Sequence, residues 1–275
     1  MGLQYPDFKS VVEKIIEENN LNTTHIPSRK EIISILKDIQ SLMFPSYFLI
    51  EDNEGIGPVS LLSKLFDRIA YQIRLATQLA KKEESANENE LAAQIIEALP
   101  DVAKMLTKDV AAIYEGDPAA TSAEEVVLSY PGFYAITIYR IAHEFYKRNI
   151  PLIPRLMTEY AHEKTGIDIH AGAKIGEYFF IDHGTGIVIG ETTTIGDRVK
   201  IYQGVTLGAR SFELDENGNP VKGIKRHPDI GNNVIIYANA TILGGNTKIG
   251  DGAVIGGNVW LTHSVPAGEK IYYNN

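Results

Sequence analysis

From Ile169 to Leu261 an aliphatic side chain returns every six residues. The series runs Ile169, Ile175, Ile181, then Ile189, Ile195, Ile201, Leu207, then Ile230, Ile236, Ile242, then Ile249, Ile255, Leu261. Neither a helix face nor strand alternation produces that spacing. It is the period of a parallel β-helix, in which three short strands and three tight turns make one coil and the aliphatic residue points into a prism. Glycine relieves crowding where the backbone turns, and nineteen of the 24 glycines fall in residues 166–275. The thirteen inward positions make about four coils, a prism roughly 20 Å tall at ~4.8 Å per stacked strand. Two slips disturb the count, two extra residues between 181 and 189 and one between 242 and 249. A longer interruption at 208–229 leaves the prism as a polar loop and returns in register. Loops of that length in compact folds tend to serve a function or to be disordered.

Residues 1–165 differ in kind. They carry 17 basic and 24 acidic side chains, against 9 and 11 in the remainder, and only five glycines. Leu61, Leu65, Ile69, Ile73, Ala76 and Ala80 follow the spacing of one helix face. Ile32, Ile33, Leu36, Ile39 and Leu42-Met43 do the same after Ser28, an N-cap candidate with Glu31 three residues on. Further periodic segments cover 5–19, 88–115, 131–148 and 152–164, and KKEESANENE at 81–90 reads as a solvated helix end or loop. The expected fold is α+β: an all-helical domain over 1–165, then a β-helix domain over 166–275 with an extruded loop at 208–229.

Composition removes several functions. The chain has no cysteine, so disulfides, thiolate metal sites and covalent cysteine intermediates are excluded. A net charge of −9 is the wrong footprint for nucleic acid or an anionic membrane. No run approaches about twenty uninterrupted apolar residues, and the N-terminus lacks a signal-type apolar stretch. A soluble, cytoplasmic protein is expected.

Among seven histidines, His183 stands out. It follows the inward Ile181 by two residues and directly precedes the first slip, as if the coil were reshaped around it. Asp182 and Asp168 are the carboxylates available to orient an imidazole, which a general base needs. A coil of about 18 residues does not stack Asp168 on His183, but the slip sets Gln203 over it. A three-histidine zinc site needs two ligands a few residues apart, whereas His170, His183 and His227 are separated by 13 and 44 residues; no metal is expected. Asp117 before Pro118 also suits a helix N-cap. Arg226 and His227 also suit an anchor for the loop. His143 and His162 read as packed or solvated helix residues, and Trp260 with the tyrosines as core or interface.

The stretches GIDIHAGAKIG, IDHGTGIVIGETTTIGDRVKIYQGVTLGA and KRHPDIG, with EGDPAA at 115–120 and YRIAH at 139–143, closely resemble the serine O-acetyltransferases over about residues 110–265. The resemblance implies a β-helix of left-handed coils and a homotrimer or dimer of trimers. It also implies acetyl transfer from acetyl-CoA, a co-substrate rather than a permanently bound cofactor, to L-serine in cysteine biosynthesis. It places the catalytic histidine on His183 and its aspartate on Asp168. It assigns serine binding to Asp117, Asp182, Arg226 and His227, and acetyl-CoA contacts to Leu207, Gly208, Ala209 and Ala238. Ala209 replaces a glycine frequent in the family. The ending IYYNN lacks the family's proline-containing coil exit and terminal isoleucine, so weak or absent docking to O-acetylserine sulfhydrylase is expected.

On this reading His183, oriented by Asp168, takes the serine proton during direct attack on the thioester. Arg226 and His227 hold the substrate carboxylate, and Asp117 and Asp182 its ammonium. The loop root suggests a site shared by neighbouring prisms of a trimer. The alternatives are another hexapeptide O-acyltransferase, with a homoserine or sugar acceptor, and a non-catalytic β-helix scaffold.

Overall fold

A computed structural model describes residues 7–19, 26–48, 57–81 and 87–273. Part of the 81–90 run and the terminal Asn274-Asn275 lie outside the described residues. Among the described residues seven helices come first: α1 Phe8–Asn19, α2 Arg29–Met43, α3 Pro58–Leu79, α4 Glu88–Gly116, α5 Ala123–Ser129, α6 Pro131–Lys147 and α7 Ile153–Thr165. Their starts follow local chemistry. The Ser28 hydroxyl accepts the Glu31 amide, and the Asn87 carboxamide accepts that of Asn89. Pro58 and Pro131 open α3 and α6, where their missing N–H costs nothing. Leu61, Leu65, Ile69, Ile73 and Ala76 are buried as expected, but α3 stops at Leu79 and leaves Ala80 exposed. The short α5 has too few turns to show a period. Its mark in the sequence is the Ser122-to-Glu125 capping pair.

Gly166 ends α7 in the left-handed conformation and the chain turns into the prism. The first coil is β1 Asp168–Ile169, β2 Lys174–Ile175 and β3 Phe180–Asp182, and the second β4 Val188–Ile189, β5 Thr194–Ile195 and β6 Lys200–Tyr202. Then follow β7 Thr206–Gly208, β8 Asp229–Ile230, β9 Ile235–Ile236, β10 Thr241–Leu243, β11 Lys248–Ile249, β12 Val254–Ile255, β13 Trp260–Leu261 and β14 Lys270–Ile271. They form three parallel sheets, β1-β4-β7-β10-β13, β2-β5-β8-β11 and β3-β6-β9-β12-β14. All thirteen inward aliphatic residues sit in these strands and are buried.

The prism is longer than the sequence count. After Leu261 the corner is shortened, so Val265 bridges Ile249 and Ile271 pairs with Ile255, completing about five coils. The six-residue phase is lost at that corner and hides both positions. Trp260, one of the core-or-interface candidates, is not core: its side chain lies on the outer face of β13, 68% exposed. The interruption at 208–229 emerges from β7 and carries a small antiparallel bridge between Leu214 and Pro220 before rejoining at β8.

Helices and prism share one continuous apolar core. Their joint is polar and buried. Arg140 of α6 pairs with Asp109 of α4 through two hydrogen bonds, and donates to the carbonyls of Ile175 and Gly176. Asp109 also accepts the Phe179 amide at 2.9 Å. Burial pushes the Asp109 carboxyl up, against the pull of Arg140 and of the Phe179 amide. His143 is packed here too, its Nδ1 2.7 Å from the Ala171 carbonyl.

Candidate functional site

The turn from β3 to β4 explains the first slip. Gly166, Gly186, Gly204, Asn239 and Asn258 all have positive φ and stand three residues before the inward residue of the next strand. Between Ile181 and Gly186 two extra residues are accommodated as a bulge, in which His183 and Gly184 have φ of 60° and 95°, His183 exposed and Gly184 buried. A Cβ on Gly184 would come 2.5 Å from Ile167 Cδ1, so that position requires glycine. A non-glycine residue at positive φ costs on the order of 1–3 kcal/mol and survives where the surroundings enforce it. The result is an imidazole lifted off the prism, 73% exposed. The register pairs Asp182 with Tyr202, so the next residue, Gln203, is the coil neighbour of His183. Its Oε1 is buried without a hydrogen-bond partner among the described residues.

Asp182 Oδ1 lies 3.8 Å from His183 Nε2, and Oδ2 lies 3.1 Å from Lys200 Nζ. Asp117 belongs to the same corner through electrostatic contact with His183 and Lys200. It does not begin a helix: it caps the C-terminus of α4, and its Oδ1 accepts the Ala119 amide at 2.8 Å. The N-cap alternative fails because Pro118 opens a turn rather than a helix. Oδ2 accepts the Tyr130 hydroxyl at 2.8 Å. The Ala119 amide, working against slight burial and joined by Tyr130, Lys200 and His183, holds Asp117 below the usual carboxylate range. Burial and Asp117 push Tyr130 up to about 12. Asp168 starts β1, one coil below on the same edge, but no hydrogen bond joins it to His183.

Arg226 and His227 occupy a different edge, where β4 turns into β5. Arg226 pairs with Glu191 at 2.6 Å, and Glu191 also accepts the Tyr146 hydroxyl at 2.9 Å. Thr192 Oγ1 accepts the amides of Arg226 and His227 and lies 2.9 Å from His227 Nδ1. The pair therefore does anchor the loop. His227 Nδ1 also accepts the Thr192 amide, which leaves the ring proton on Nε2. Burial, then Arg226, lower His227 to about 4, so it meets a ligand as a neutral donor. Because the folded protein binds this proton more weakly than the unfolded chain, the associated stability is present above pH 6.5 and lost as pH falls toward 4. The loss is up to about 3 kcal/mol. Urea midpoints measured across that window should fall more steeply for wild type than for His227→Gln; parallel curves would refute the assignment.

Leu207 and Gly208 end β7, next to Ala209; the Leu207 side chain is buried, so a ligand there meets backbone. Ala238 lies in the turn from β9 to β10, on the His183 edge. The expected residues thus form two groups on opposite edges of the sheet β1-β4-β7-β10-β13. Asp117, Asp168, Asp182, His183 and Ala238 are on one, and Leu207, Gly208, Ala209, Arg226 and His227 on the other. Sequence reasoning missed Tyr130, Glu191, Thr192 and Lys200. Lys200 was within reach of coil arithmetic, as the register partner of Phe180; the contacts of Tyr130 with Asp117 span separate helices. No group of three or more potential metal ligands occurs among the described residues.

Residues 62–138 match the family model described as serine acetyltransferase, N-terminal. A protein named "Serine acetyltransferase, plasmid" from Synechococcus elongatus is 46% identical over 260 residues, 90% of this chain and 81% of its own length. A serine acetyltransferase of Staphylococcus epidermidis is 48% identical over 164 residues, 60% of this chain and 72% of its own. Among solved structures, serine acetyltransferase 1 of Entamoeba histolytica in complex with L-cysteine superposes with a TM-score of 0.76 at 36% identity, covering 96% of this chain and 97% of that one. The Neisseria gonorrhoeae serine acetyltransferase in complex with serine gives 0.58 at 28%, covering 91% and 96%.

Proposed function

The chain belongs to the serine acetyltransferase family and is an acyltransferase; from that premise we propose that it moves acetyl from acetyl-CoA to the hydroxyl of L-serine, with His183 as general base. The observation that carries this reading is the His183–Gly184 bulge, which presents an exposed imidazole beside acidic side chains. A serine hydroxyl is a weak nucleophile until a base takes its proton during attack. His183 takes that proton as the hydroxyl oxygen bonds to the thioester carbon, and returns it to the departing CoA sulfur. With no cysteine in the chain, a thioester on a cysteine is excluded and a ternary complex is the economical route. Asp168 orients the imidazole from one coil below.

Asp117 and Asp182 receive the substrate ammonium. Arg226 binds the carboxylate with N–H groups left over from Glu191, and neutral His227 donates from Nε2. The backbone at 207–209 and the turn at Ala238 hold acetyl-CoA. These groups lie on opposite edges of one sheet, so one chain cannot bring them together. A homotrimer resolves this if each edge meets the other edge of a neighbouring prism.

The test is thiol release from acetyl-CoA with serine, homoserine and a hexose as separate acceptors. Serine is the expected acceptor; release with a sugar alone, or with none, overturns the reading. Mixed oligomers of His183→Ala and Arg226→Ala chains should recover part of the activity that each lacks alone. No recovery in verified mixed oligomers would count against a shared site.

A further inference from the structure

Lys200 joins the two halves of the acidic corner. Its ammonium is 3.1 Å from Asp182 Oδ2 and donates to the Gly116 carbonyl at 3.0 Å, one residue before Asp117. It also sits 4.2 Å from the Phe180 ring centre and 4.7 Å from that of Tyr202. Partial burial lowers its affinity for protons, but hydrogen bonds to Tyr202 and Asp182 outweigh this and raise it, so the charge persists. Gly116 ends the long helix α4, where the macrodipole favours a cation. The fit is close: a Cβ on Gly116 would come 2.8 Å from Phe180 Cε1.

We infer that Lys200 is the positioning residue of the acceptor's ammonium site, holding Asp182 by one oxygen and, through the Gly116 carbonyl, setting Asp117 against the prism edge. The inference rests on the proposed acceptor chemistry. Asp117, Asp182 and Lys200 together carry one net negative charge, which a single substrate ammonium balances. Without Lys200, two carboxylates face one ammonium and repel each other, and the end of α4 loses its tie to the prism. The Oδ1 of Asp182, turned toward His183, is the oxygen left for substrate.

The experiment compares wild type, Lys200→Met and Lys200→Arg in steady-state kinetics, varying serine and acetyl-CoA separately. Methionine keeps the stem over the rings and removes the charge; arginine restores it. Losing a charge-assisted contact should raise the KM for serine about tenfold or more. The KM for acetyl-CoA should stay within about twofold, because a difference that small is below the worth of one such contact. Lys200→Arg should recover most of the loss. A merely structural role would move both KM values or the melting temperature instead. Unchanged KM values, or values that rise together, would overturn the inference while leaving an active wild type intact. A wild type that releases no thiol with serine refutes the acceptor reading itself, and this inference with it.

Discussion

His183→Asn should lower turnover about 10²–10⁴-fold, the usual worth of a positioned general base, with little change in acetyl-CoA affinity. Asparagine cannot accept the serine proton, so the turnover that remains should come from binding and positioning alone. Asp168→Asn should cost less, because the imidazole remains and only its orientation is lost. If the two act as a unit, the double variant should be scarcely slower than His183→Asn, since groups sharing one task are non-additive. Asp182 needs the same test, because it alone of the two carboxylates lies within 4 Å of His183 in the isolated chain. Non-additivity of Asp182 with His183, beside additivity of Asp168, would transfer the orienting role to Asp182. Near-normal turnover in His183→Asn would end the general-base assignment.

Arg140→Met should destabilise the protein by about 3–5 kcal/mol, because it strands the Asp109 carboxylate in the core. The two side chains are 4% and 0% exposed, so water cannot take over. For a chain of this size that loss lowers the melting temperature by roughly 10 °C. Replacing both partners, as Asp109→Leu with Arg140→Met, should recover part of it, since a buried pair is costly mainly when broken. The Phe179 amide and the Ile175 and Gly176 carbonyls would still lose their partners, so recovery should be incomplete. A single variant melting within about 2 °C of wild type would amount to less than about 1 kcal/mol and show that the joint contributes little.

The β-helix and most helices were legible because each rests on a local periodic constraint. An inward residue every six positions can be satisfied by one kind of coil, and all thirteen positions named from the sequence are buried. Where the phase broke, at Val265 and Ile271, legibility broke with it. The short α5 was missed for want of turns, although its capping pair was in plain view.

The sequence by itself determined that His183 stands at a reshaped coil, because two extra residues in a six-residue period must go somewhere. Only the tertiary structure decided which groups face it. Tyr130 reaches Asp117 from the start of a helix that shares no period with it, so no spacing rule connects them; coil register brings Lys200 over Phe180, but only the folded side chains pair its ammonium with Asp182. The same holds for His227, whose neutrality comes from burial against Thr192, Arg226 and the prism wall. Separation of the acidic corner from the Arg226–His227 edge is likewise a property of the closed triangular coil. Backbone hydrogen bonding between stacked strands sets those edges apart, whereas linear order along the chain interleaves the two groups.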